Sequence, residues 1–167
     1  MLAPYDLLLA LHVIAGSLGL ILGPVAIWAS RRGELAGGAH SAYHCSVLAV
    51  CVTASGLVAL DFRGLWWLLL LAGLSYALAL LGFLAPRRRW CGWVGAYARG
   101  QGGSYIALVT ASLVVSVEGS AAVAAWVLPT LVGHPLIERR VARLEAREHA
   151  ERSRATGNRA LVARNGA

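Results

Sequence analysis

LWWLLLLAGLSYALALLGFLAPRRR, residues 65–89, decides the fold class. Residues 65–85 run without a charge and then meet Pro86 and three consecutive arginines. A helix rises about 1.5 Å per residue, so about 20 apolar residues cross the roughly 30 Å hydrocarbon core of a bilayer. The stretch therefore reads as a membrane span. Cytoplasmic loops concentrate arginine and lysine, so Arg87, Arg88 and Arg89 mark its cytoplasmic end.

Two apolar runs precede it, at 5–29 and 42–60, and a tight turn over 61–64 is expected before the third. A fourth span covers 95–117, with Arg99 snorkelling to the inner interface. The fifth run, 121–137, is short and carries Pro129 and Pro135. Proline is tolerated in membrane helices whose neighbours supply a donor to the freed carbonyl. The expected fold is all-α: an integral membrane bundle of about five transmembrane helices over 1–137. After it, 138–167 reads as a basic amphipathic cytoplasmic tail. Ile137, Val141 and Leu144 recur there at helical spacing, and the pattern fades after about Ser153, where the end frays.

Charge sets the orientation. Of the 15 basic residues, all arginine, every one but Arg63 falls at 31–32, 87–99 or 139–164. An external N-terminus and a cytoplasmic C-terminus put all three clusters inside. Tyr5, Trp66 and Trp67 then mark the outer interface, and Trp28, Trp90 and Trp93 the inner one. Hydrophobic residues make up 58% of the 167, charged residues 14%, and mean hydropathy is +0.65, which excludes an ordinary soluble domain. The net charge of +7 suits anionic lipid headgroups rather than nucleic acid, for which no motif is present. Arginine without lysine, with much Ala and Gly, fits a GC-rich bacterial genome. The expected location is the bacterial cytoplasmic membrane. Cys45, Cys51 and Cys91 form no CxxC motif and no disulfide framework.

Small residues mark helix contacts in membranes. Ala15, Gly19 and Gly23 repeat every four residues in the first span, as do Gly103, Ala107 and Ala111 in the fourth, which nominates these helices as the interior pair. Leucines at 68–71 and 78–81 are expected to face lipid. Polar groups inside spans are costly and point to function or to interhelical bonding. An outer group comprises His12, Asp61 and Glu118, candidate catalytic acid/base residues. The plainer alternative solvates the two carboxylates at the interface and hydrogen-bonds His12 to a neighbouring helix. An inner group comprises His40, Tyr43, His44, Tyr97, Gln101 and His134. His40 and His44 are four apart, a metal-ligand spacing, with His134 as a candidate third ligand. Interfacial hydrogen bonding is again the plainer alternative. His12 lies about 10 Å below the outer surface and His44 about one turn from the inner one, so the two cannot share one haem iron. No nucleotide-binding loop or Ser-His-Asp arrangement occurs, and the sequence specifies no cofactor.

Several stretches together resemble the bacterial membrane-protein family DUF2306. They are His12-Val13-Ile14-Ala15-Gly16, Leu22-Gly23-Pro24, Tyr43-His44, Gly102-Gly103-Ser104-Tyr105-Ile106-Ala107-Leu108 and Val127-Leu128-Pro129-Thr130-Leu131-Val132-Gly133. The resemblance covers most of residues 8–138 and implies a small multi-helix membrane bundle, with no particular activity. Two histidines that it would imply are replaced here, one at about Ala36-Gly37-Gly38 and one at about Tyr97. Three function classes follow. The first is a non-catalytic bundle acting as subunit or partner of another membrane protein. The second is an enzyme on a lipophilic small molecule of isoprenoid or quinone type, and the third a His-ligated metal or redox protein. The first is favoured, because no catalytic constellation is forced.

Overall fold

A computed structural model describes residues 4–31, 37–60, 62–117 and 121–165. It is all-helical: α1 Pro4–Arg31, α2 Gly38–Leu60, α3 Phe62–Arg88, α4 Trp93–Ser116 and α5 Ala121–Asn165. Three helices are long and apolar enough to cross a membrane, over Pro4–Ser30, Gly38–Leu60 and Leu68–Arg88. The expected turn over 61–64 is shorter than the sequence suggests, because Phe62, Arg63 and Gly64 already belong to α3; Asp61 lies outside the described residues. The link between α3 and α4 is tight, and Gly92 takes a φ of 75° that a side chain would disfavour.

Helices α1 to α4 close a ring in which each packs antiparallel to the next and α4 returns to α1. α5 packs helix-on-helix against α4 alone, outside the ring. The middle of the ring is filled across its diagonal by side chains of α2 and α4, which run parallel. Ala26, Tyr43, Val47 and Ala79 form its core.

Packing follows the small residues. At the α3–α4 crossing, Gly82 and Gly100 stand back to back, and a methyl group on Gly82 would lie 2.6 Å from the backbone nitrogen of Gln101. Gly102 receives Ile137 of α5, and Gly133 of α5 receives Ile106. The expected α1–α4 pairing exists, with Gly19 against Leu108 and Gly23 against the Tyr105 ring, but it is short. Gly103 faces Leu78 of α3 rather than α1.

Two readings of faces need correction. Leu78 and Ala79 are not on a lipid face: Leu78 covers Gly103 and Ala79 lies in the core, because α4 presents glycine there and draws α3 close. Leu70 is strongly exposed, as expected, and so is Leu74. The stripe of the tail is not free either. Ile137 packs on Gly102 and Val141 is buried beside Gly95, so the first turns after residue 137 continue the α4–α5 contact. α5 passes through residue 138 without a break and remains helical to Asn165, about 68 Å in all.

Proline inside a helix frees the carbonyl four residues earlier. Pro24 does this to Leu20 in α1, and the hydroxyl of Tyr105 in α4 donates to that carbonyl at 3.3 Å. The Tyr105 ring at the same time covers Gly23. Leu22-Gly23-Pro24 and Gly103-Ser104-Tyr105, far apart in sequence, thus form one contact.

Candidate functional site: a buried polar cluster at the arginine-rich end

At the end of the bundle that carries Arg87–Arg89 and the start of α4, the ring encloses polar side chains. His40 of α2 meets Tyr97 of α4, Nε2 to hydroxyl, at 2.7 Å, and both are buried. One turn deeper the Tyr43 hydroxyl pairs with Ser104 Oγ at 3.0 Å. The Ser104 hydroxyl donates to the Gln101 carbonyl at 3.0 Å, so the Tyr43 hydroxyl donates to Ser104. Gln101 is buried as well, and its Nε2 has no partner among the described residues. These positions share faces by helical spacing, 40 and 43 on α2 and 97, 101 and 104 on α4.

A third layer closes this end. Ser30, at the end of α1, donates to the Ile27 carbonyl at 2.7 Å. Arg140 of α5 donates to the same carbonyl at 3.2 Å and to Ser30 Oγ. Arg140–Ser30 therefore ties α5 to α1, and Tyr97–His40 ties α4 to α2. Guanidinium fits here because the last turns of α1 carry the negative end of its dipole. On the rim, Arg99 pairs through two hydrogen bonds, of 2.9 and 3.0 Å, with Glu138. That bonding holds the Glu138 carboxyl below the ordinary glutamate range.

The other sequence candidates are placed differently. His44 turns to α3, where its ring stacks on Phe83 at 4.2 Å, and Arg87 lies 3.6 Å from the centre of the same Phe83 ring. His134 is exposed on α5. His40, His44 and His134 are not brought together, and among the described residues no three His, Cys, Asp or Glu side chains are placed to hold a metal ion. In the opposite half, His12 Nδ1 lies 3.0 Å from Thr53 Oγ1 of α2. Thr53 gives its hydroxyl hydrogen to the Ala49 carbonyl at 2.7 Å, so His12 is the donor in this pair. That is the interhelical tie expected under the plainer reading. Asp61 and Glu118, the other candidate catalytic groups, lie outside the described residues, as does Ala36.

Sequence reasoning named His40, Tyr43, His44, Tyr97, Gln101 and His134 as one group; the fold assembles His40, Tyr43, Tyr97 and Gln101, turns His44 to α3 and leaves His134 exposed on α5. That reasoning missed Arg140 and Ser30. Arg140 sits in a Glu-Arg-Arg run that reads as solvated tail, and Ser30 precedes two arginines at a helix end. Only the tertiary structure shows that the Arg140 side chain reaches from α5 to the end of α1. No family model, curated protein or solved structure matches the chain.

Proposed function

We propose that the protein is a five-span component of the bacterial cytoplasmic membrane, with the N-terminus outside and the C-terminus in the cytoplasm. It works as a non-catalytic bundle that binds a membrane partner. The observation that carries this reading is an inverted distribution of polarity. Polar side chains lie inside the ring and bond helix to helix: His40 to Tyr97, Tyr43 to Ser104, His12 to Thr53, and Ser46 to the Ala15 carbonyl. The outer surface carries Ile21, Val52, Leu70 and Val115, each more than 60% exposed. Water would reward the opposite arrangement; a bilayer rewards this one. Polar groups engaged with each other are fixed as struts, which suits assembly rather than turnover.

The arginine distribution supports the orientation. A reporter that is active only in the cytoplasm should work at the C-terminus, and one active only in the periplasm should stay silent. In mildly solubilised native membranes the chain should migrate in an assembly heavier than its 17.6 kDa. Periplasmic activity at the tail overturns the orientation, and a chain that is monomeric in its native membrane overturns the role.

A further inference from the structure

α5 turns an unusual face away from the bundle. Over 121–137, Ala125, Gly133 and Ile137 take the α4 side. Val127, Thr130, Leu131 and His134 are all exposed. Their spacing, i, i+3, i+4 and i+7, puts them on one face. An open apolar groove lies there, lined by Trp126, Val127, Thr130 and Leu131. The face also carries three hydrogen-bonding groups. Two are the Thr130 hydroxyl and the His134 imidazole. The third is the Leu131 carbonyl, which loses its helical donor because Pro135 has no N–H. In hydrocarbon such groups are costly unless partnered, and ionisable residues in spans turn toward protein. Pro24 poses the same problem in α1, where Tyr105 answers it from within the chain. Among the described residues no second helix packs on α5 to do the same.

We propose that this face of α5 pairs with the same face of a second copy of the chain, as a parallel two-fold dimer within the membrane. The inference rests on α5 being the fifth span and names the partner that the bundle binds. Complementarity argues for a second copy. In a two-fold contact each residue meets its equivalents at equal depth. Side chains on a helix lean toward its N-terminus, while carbonyls point toward its C-terminus. The His134 imidazole of one copy and the Leu131 carbonyl of the other therefore converge on one level, donor to acceptor, and do so twice. Thr130 donates and accepts, so it pairs with its own equivalent. Lipid chains satisfy none of these groups, and an unrelated helix would need its own matching set.

The test uses the full chain with its three cysteines replaced by alanine, expressed in cells with two different affinity tags. Capture of one tag from solubilised membranes should recover the other. Thr130→Cys should form an intermolecular disulfide under mild oxidation in intact membranes, whereas Leu70→Cys, on the lipid face of α3, should not. His134→Ala removes the bond from both copies and should lower the fraction of paired chains, with an association constant about tenfold to a hundredfold weaker, the range for two interhelical hydrogen bonds. Water-soluble maleimide should leave Thr130→Cys unmodified. A protected Thr130→Cys that neither crosslinks nor co-captures overturns the dimer; if the chain still migrates in a heavy assembly, the subunit reading stands with another partner. Ready modification of Thr130→Cys by the maleimide shows that α5 does not span, and both readings fall.

Discussion

At the scale of single residues, the bundle is held by polar groups that answer defects in neighbouring helices. Tyr105 shows it best, since its hydroxyl supplies the donor that Pro24 withholds from Leu20. Tyr105→Phe should therefore cost about 0.5–1.5 kcal/mol, the span of measured interhelical hydrogen bonds in membranes. Pro24→Ala returns a backbone donor to Leu20, so in that background Tyr105→Phe should be close to silent. Thermal unfolding of the four chains in detergent, read as a double-mutant cycle, checks the coupling. Equal costs in both backgrounds would show that the ring of Tyr105 matters and its hydroxyl does not. His12→Phe should cost a comparable amount through loss of the Thr53 tie. Retained stability would free His12 for the acid/base role that its sequence position also allows.

At the scale of helices, glycine position decides how closely two backbones approach. α3 contains a matched pair for testing this. Gly82 abuts the backbone of α4, whereas a methyl group on Gly73 would meet nothing within 4 Å. Gly82→Ala should lose about 1–3 kcal/mol through overpacking. Gly73→Ala should be neutral or gain up to about 1 kcal/mol from helix propensity. Thermal unfolding of the two variants side by side separates crossing geometry from propensity. The α4–α5 contact adds a pH dependence. Hydrogen bonds from Arg99 lower the Glu138 carboxyl below its unfolded value, so its contribution is complete above the ordinary glutamate pKa. It is lost as pH falls through the lowered folded value. Because the pair is exposed, the effect is small. The wild type should lose slightly more stability than Arg99→Ala between neutral pH and pH 3. Identical acid profiles would remove the pair from the α4–α5 contact.

At the scale of the whole molecule, arginine placement predicts that Cys91, in the α3–α4 link, faces the cytoplasm. In intact cells it should resist impermeant thiol reagents and react once the membrane is permeabilised. Labelling in intact cells would invert the topology. The helical class and the three strongest apolar helices were legible in the sequence, because hydropathy and arginine spacing are local properties of the chain. So were His40, Tyr43, Tyr97 and Gln101 of the buried cluster, since a polar residue in an apolar run is conspicuous; Ser30 and Arg140 were not, because they sit among charges at a helix end and in the tail. Partner choice was not legible. Whether His40 meets His44's side of the bundle or Tyr97 depends on ring closure, which places α2 diagonal to α4. Whether Gly103 faces α1 or α3 depends on where Gly82 lets α3 approach. The stripe Ile137–Val141–Leu144 looks the same in sequence whether it lies on a membrane surface or against α4; the glycines at 95 and 102 decide it. Periodicity determined which residues share a face of one helix, and only the tertiary structure decided what each face meets, because side-chain volume at a crossing is a joint property of two helices.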